Sequence, residues 1–157
     1  MSNEAQIELC NYTLLTRIGQ GASGEVYKIK DNKTSEIYAA KISFKPLSLN
    51  SKAENLSLNR ELNIMAKINH ACIVKFIGYS PINYHDEDKP VIIQELVSNG
   101  TLADVIDKER KSLAPKEWDA TTKLINIYGI AAAMAFLHSH GIIHRDLKPA
   151  NILMDEK

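Results

Sequence analysis

An α+β fold, a small antiparallel sheet with one helix followed by the start of a helical lobe, is what this sequence predicts. Three observations predict it. Short β-favouring runs broken by turn residues fill the stretch from Tyr12 to Phe44. A helical pattern follows, and the chain then returns to strand character before residue 97. From Thr101 onward the apolar residues recur at helical spacing. Strands grouped before helices are the pattern of a segregated α+β architecture.

The first strands come from Leu14, Leu15 and Ile18, then Val26, Tyr27 and Ile29, then Ile37 to Phe44. A glycine cluster from Gly19 to Gly24 and the polar pair Asp31-Asn32 separate them as tight turns. Ser51 and Glu54 have capping-box spacing, the serine accepting from an early helical amide while the glutamate reaches back. Leu58, Leu62, Met65 and Ile68 continue that helix as one apolar stripe. Strands are expected again at Ile73 to Tyr79 and Val91 to Leu96, with a polar loop opened by Pro81 between them. After the Asn99-Gly100 turn, Leu102, Val105 and Ile106 mark a short helix.

A long helix is expected from about Thr121 to His140, closed by Gly141. Its apolar positions, Leu124, Ile127, Tyr128, Ala131, Met134, Ala135 and Leu137, form a broad face that predicts deep packing.

Bulk properties set wide limits. The 157 residues suit one ordinary domain or two small lobes. Nineteen basic side chains balance nineteen acidic ones, so net charge gives no argument for nucleic acid as partner. Two cysteines, Cys10 and Cys72, do not make a disulfide framework and suit a reducing, cytoplasmic setting. The longest apolar stretch, Ile127 to Leu137, is about half of the ~20 residues that a membrane span requires, so no span is expected.

Three groups carry candidate chemistry. In Gly19-Gln20-Gly21-Ala22-Ser23-Gly24-Glu25-Val26, glycines allow backbone amides to approach phosphate oxygens. The same spacing marks dinucleotide-binding folds, but those need a helix directly after the glycines, and here a strand follows. Lys41, in Tyr38-Ala39-Ala40-Lys41-Ile42, would be an ordinary surface lysine if it stood alone. Glu61 borders the apolar stripe of the helix and offers it a counter-charge across the gap between sheet and helix. In His144-Arg145-Asp146-Leu147-Lys148-Pro149-Ala150-Asn151, Asp146 suits proton acceptance, Lys148 charge neutralisation and Asn151 metal binding through its amide oxygen. Apolar neighbours Ile142, Ile143, Ile152 and Leu153 are expected to clamp that loop. His138 and His140 read as helix-end residues, Trp118 as a packing residue, and the 85–88 run as a solvated loop.

Taken in order, the glycine loop with Val26, the Ala-Ala-Lys strand, the helical Glu61 and the HRDLKPAN run resemble the eukaryotic-type protein kinases. Lys148 after HRDL is similar to serine/threonine kinases, and Glu95 to Leu102, ELVSNGTL, resembles their tyrosine-kinase-like group. The resemblance implies a protein-kinase-like fold: 1–11 as an N-terminal tail, 12–97 as the N-lobe, 98–157 as the hinge end and partial C-lobe.

It also implies that ATP and Mg2+ are bound and that the γ-phosphate passes to serine or threonine hydroxyls of a protein substrate. Ile18, Gly19, Gly21, Gly24, Val26 and Ala39 would surround the nucleotide, with Gln94 as gatekeeper and Glu95 and Val97 at the hinge. Leu153 would press on the adenine, and His144 with Met65 would join the column aligning the lobes. Lys41, paired with Glu61, would hold the α/β-phosphates; Asp146 would be the catalytic base, Lys148 would contact the γ-phosphate and Asn151 would ligate magnesium.

The family also has an Asp-Phe-Gly metal-binding segment beyond the position of Lys157. The chain as given is therefore expected to be a catalytically incomplete fragment that leaves its long apolar helix uncovered. The alternative expectation is a non-catalytic nucleotide-binding or interaction module.

Overall fold

A computed structural model describes residues 5–46 and 52–155, apart from the side chains of residues 52–55, 57, 59 and 61. The element order is β1 (Tyr12–Gln20), β2 (Gly24–Asp31), β3 (Ile37–Ser43), α1 (Lys52–Lys67), β4 (Phe76–Ser80), β5 (Val91–Glu95), α2 (Leu102–Arg110) and α3 (Ala120–Ser139). The α+β class read from the sequence is the one observed. Two compact units divide the chain, one reaching Asn69 and resuming from Val74 to Leu96, the other comprising His70–Ile73 and the chain from Val97.

The first unit is a five-stranded antiparallel sheet in the order β1-β2-β3-β5-β4. Register fixes its two faces. Ala40 lies opposite Tyr27 and Ile93, whereas Lys41 lies opposite Val26 and Ile92. Because side chains alternate along a strand, Val26, Ala39, Lys41 and Gln94 share one face, and Ile29, Ala40, Val91 and Ile93 share the other. That second face is the core: all four residues have no exposed surface. Burying Ile29, Val91 and Ile93 contributes about 1.5–3 kcal/mol each. The chemistry-bearing face is thus backed by a dry apolar layer.

Helix α1 buries Leu62, with Leu58, Met65 and Ile68 half-buried along the expected stripe. The proposed cap at Ser51 and Glu54 falls outside the described residues. Strand β4 begins three residues later than the sequence reading placed it. The reason is a turn at 70–73, in which the Ile73 amide donates to the His70 carbonyl at 3.0 Å and the Cys72 amide to His70 Nδ1 at 3.1 Å.

The β4–β5 loop is tied by Asn83, which is only 5% exposed. Its Oδ1 accepts from the amides of His85 and Glu87, and its Nδ2 donates to the Glu87 carboxylate. Beside it, Tyr84 packs on the sheet core, and its buried hydroxyl has no hydrogen-bond partner among the described residues. Burial, and then the nearby Tyr12, push that phenol up to about 12. Removing a buried, unpaired hydroxyl relieves about 1–2 kcal/mol, so Tyr84→Phe should raise the midpoint of thermal unfolding by a few degrees. A fall in that midpoint, read by circular dichroism, would count against an unpaired hydroxyl.

In the second unit, α2 starts with a full capping box. Thr101 Oγ1 accepts from the Asp104 amide at 3.2 Å, and the Asp104 carboxylate accepts from the Thr101 amide at 2.8 Å. The Asp119 side chain caps α3 by accepting from the Thr122 amide at 2.8 Å. Both signals stand in the sequence, yet the reading there placed neither. Trp118 is more than a packing residue: its indole N–H donates to Glu109 at 3.0 Å, and Glu109 also pairs with Lys123, which joins the end of α2 to the start of α3. The helix ends where Gly141 adopts φ +70°, a conformation that glycine tolerates best.

Deep packing of α3 is the expectation that the structure overturns. Ala133 and Leu137 are buried, but Leu124, Ile127 and Tyr128 are 65%, 64% and 74% exposed. A helix that is apolar on every side needs neighbours on every side. Among the described residues, the 70–73 turn supplies such a neighbour: His70 stacks on Phe136 at 4.9 Å, and Cys72 Sγ lies beside Gly129. By length and composition alone α3 is also long and apolar enough to cross a membrane, a property it shares with core helices of soluble proteins.

Candidate functional site

The glycine run forms the turn between β1 and β2, closed by the Gly21 amide donating to the Gly24 carbonyl at 2.9 Å. The three glycines differ in what surrounds them. A Cβ at Gly21 would meet nothing within 4 Å, and one at Gly19 would make only an ordinary contact with Val26. At Gly24 it would lie 2.2 Å from the Ile42 carbonyl oxygen, a clash with backbone of the adjacent strand. Gly24 is required by sheet packing, while Gly19, at the end of β1, and Gly21, in the turn, have space where a side chain would stand.

The hairpin bearing this turn is braced by a clamp that the sequence reading missed. Arg17 donates to Glu25 at 2.6 Å, and the Tyr27 hydroxyl donates to the other Glu25 oxygen at 2.9 Å. Those bonds, Arg17 first, hold the Glu25 carboxyl below its usual range. Only the β1–β2 register, which pairs Arg17 with Tyr27 and Gln20 with Glu25, makes the grouping visible. Ile18 sits at the register shift between Arg17 and Gly19 and is 43% exposed.

On the same face as Val26 and Ala39, Lys41 is exposed. The backbone of Glu61 belongs to α1, but its side chain is outside the described residues, and with it the expected Lys41–Glu61 pair. Gln94 lies opposite Ala39 in the register. Glu95 is bound on two sides to Lys75, its amide donating to the Lys75 carbonyl at 2.9 Å and its carboxylate accepting from the Lys75 amide at 2.7 Å.

The second unit gathers the other candidates. Asp146 accepts from Lys148 Nζ at 2.9 Å and from Asn151 Nδ2 at 2.8 Å, and the same Asn151 nitrogen also donates to the Asp146 main-chain carbonyl. A short 3-10 turn, Pro149–Asn151, brings Asn151 back towards Asp146, while Arg145 takes a left-handed φ of +66° just before it. The Lys148 ammonium, and then the Asn151 amide, hold the Asp146 carboxyl below its ordinary value of 3.8. Both members of the Asp146–Lys148 pair are more than half exposed, so the pair orients groups more than it stabilises the fold.

The expected apolar clamp around this loop is only partly formed, with Ile142 and Ile152 half-buried. Ile143 is 69% exposed and Leu153 42%. Backbone pairing does the holding: Leu153 bridges Thr101, the Leu102 amide donates to the Ile152 carbonyl at 2.8 Å, and the Met154 amide to the Gly100 carbonyl at 2.9 Å. Val97 also belongs to this unit and is half-buried.

These arrangements have two chemical capacities. An exposed glycine turn without side chains in the way, on the sheet that carries a lysine, suits the approach of oxyanions. A carboxylate held between an ammonium and an amide, which favour its charged form, suits the orientation of a hydroxyl nucleophile. Asn151 spends its nitrogen on Asp146, so its amide oxygen is the atom left to act as a ligand for a hard divalent cation.

The family model for the protein kinase domain matches residues 12–157. The chain is 38% identical over 152 residues to a calmodulin-binding receptor-like cytoplasmic kinase of Arabidopsis thaliana, covering 93% of this chain and 34% of that protein. It is 39% identical over 145 residues to a probable myosin light chain kinase of Dictyostelium discoideum, covering 92% of this chain and 41% of that one. An Aurora kinase of Patiria pectinifera is 31% identical over 149 residues, covering 95% and 34%. The chain thus spans between a third and two-fifths of the length of these relatives. With a family model covering nearly all of its length, the chain belongs to the protein kinase family.

Proposed function

We propose that the protein to which this chain belongs is a serine/threonine kinase that binds ATP with magnesium and transfers the γ-phosphate to a protein hydroxyl. The observation that carries this reading is the Asp146–Lys148–Asn151 cluster, which keeps a carboxylate ionised next to a positive charge and a spare amide oxygen. Lys148 in that cluster is the serine/threonine feature, and several relatives are named as serine/threonine kinases. A cytoplasmic setting is consistent with two free, exposed cysteines and with the name of the Arabidopsis relative.

In this reading Gly19 and Gly21 let phosphate oxygens approach a surface without side chains, the Gly21 amide itself being spent on the Gly24 carbonyl, while Gly24 fixes the turn to the sheet. Ile18, Val26, Ala39 and Leu153 supply apolar contacts to the base, with Gln94 as gatekeeper. At the hinge Glu95 offers its carbonyl, since its amide is already committed to Lys75, and Val97 supplies the further backbone group. Lys41, balanced by Glu61, binds the α/β-phosphates. Asp146 orients the substrate hydroxyl and accepts its proton, and Lys148 neutralises charge on the moving phosphoryl group. Asn151 holds magnesium through its amide oxygen; the bound ion supplies Lewis-acid neutralisation of the phosphates. The domain boundaries that go with this reading are an N-lobe over 12–97 and the hinge end with part of the C-lobe over 98–157.

Transfer of labelled phosphate from ATP to a generic serine/threonine substrate tests it in the full-length protein. Lys41→Met should lower transfer by about 100-fold or more with an unchanged circular dichroism spectrum. Undiminished transfer would reject the assignment of Lys41. A non-catalytic nucleotide-binding module would instead bind ATP without any transfer in the unmutated protein.

A further inference from the structure

Residues 5–10 read Ala-Gln-Ile-Glu-Leu-Cys, and their exposure alternates: Ala5, Ile7 and Leu9 are half-buried, Gln6, Glu8 and Cys10 exposed. That period of two belongs to a chain lying along an apolar surface. The surface is the sheet face opposite Lys41, because Ile7 and Leu9 pack on the cluster of Ile29, Ala40, Val91 and Ile93. At one end, Gln6 forms a parallel bridge with Tyr79 and the Ile7 amide donates to the Tyr79 carbonyl at 2.9 Å, on the outer edge of β4. At the other end the turn Leu9–Asn11 runs into β1, the opposite edge of the sheet. Asn32 grips this end, its side-chain amide donating to the Cys10 carbonyl at 3.2 Å and its main-chain amide to the Asn11 carbonyl at 2.9 Å.

One residue on β4 is shaped for this segment. A Cβ at Gly78 would come within 2.6 Å of Ile7 Cγ2 and 3.0 Å of the Ala5 carbonyl oxygen. Gly78 has no positive φ to explain it. What the missing side chain provides is room for residues 5–7.

We infer that residues 5–11, which precede the stretch matched by the kinase-domain family model, are a strap across the back of the sheet, seated on Gly78, that joins its two edge strands and closes the core behind β3. The strap is a handle on the domain: whatever holds or lifts the chain ahead of Tyr12 acts on the apolar packing directly behind the strand that carries Lys41. The inference concerns the fold of the first unit and stands whether or not Lys41 binds a nucleotide.

A double-mutant cycle between positions 7 and 78 in the full chain tests it. Gly78→Ala should lower the unfolding midpoint by several degrees in the wild-type background. In an Ile7→Ala background the same change should lower it by less than half as much, because the nearer of the two atoms it would strike has gone. Equal shifts in the two backgrounds would overturn the seat. Hydrogen exchange on the unmutated chain provides a second readout that needs no variant to fold. The Ile7 amide should exchange far more slowly than in a free peptide of residues 1–11, and equal rates would overturn the strap.

Discussion

Replacing Asp146 by Asn in the full-length protein is expected to reduce phosphate transfer by about 100- to 10,000-fold, the usual contribution of a positioned general base. ATP binding should change little, since the nucleotide is assigned to other groups. The substitution keeps the shape of the side chain and its ability to accept from Asn151 Nδ2, but it removes the charge that Lys148 pairs with at 2.9 Å. A kcat loss with KM for ATP nearly constant is therefore the expected split.

The pH dependence has a definite sign. The Lys148 ammonium and the Asn151 amide depress the Asp146 pKa below 3.8, so the carboxylate is charged at neutrality and stays charged well into acid. Any acid limb due to this group must lie below the ordinary carboxylate range, and activity is lost only as pH falls through that depressed value. An acid limb near pH 6 that disappears in the Asp146→Asn protein would show that the cluster does not hold the carboxylate ionised. Transfer at the wild-type rate would remove Asp146 from the mechanism altogether.

The second large effect concerns the fold. Gly24→Ala is expected to destabilise the first unit by about 3 kcal/mol, the upper end of typical overpacking costs, because the added carbon meets the backbone of Ile42, which cannot rotate away as a side chain can. In a chain of this length that is about 6–12 °C in the unfolding midpoint. Gly21→Ala, in the same motif, meets nothing within 4 Å and should move the midpoint by less than about 2 °C. Its cost should appear instead in ATP affinity, if the open backbone there faces phosphate. Thermal unfolding of the two variants side by side decides the matter: equal shifts would show that the approach of β3 to Gly24 is looser than described. Motif spacing alone treats these glycines as equivalent, and the neighbouring strand separates them.

Much of the candidate site is legible in the sequence. The HRDLKPAN run is local, and Asp146, Lys148 and Asn151 meet because a single 3-10 turn brings residue 151 back to residue 146. The strands and helices followed from period and turn residues, with β4 displaced by the His70 turn, whose hydrogen bonds have no signature in hydrophobic period. The Arg17–Glu25–Tyr27 clamp was not legible, because it depends on register across a hairpin that contains two bulges. The α3 face was read correctly as broad and apolar, yet what covers a face is a property of neighbours, and Leu124, Ile127 and Tyr128 stand exposed.

By itself the sequence determined the kinds of element, their order and the chemistry of the motifs, since each of these is decided by residues within a turn or two of one another. Tertiary structure alone decided which sheet face is core, why Gly24 and Gly78 lack side chains, and how the segment before Tyr12 is used. The physical reason is range. Gly24 answers to Ile42, and Gly78 to Ile7 across most of a lobe, and such close approaches exist only once the strands have paired.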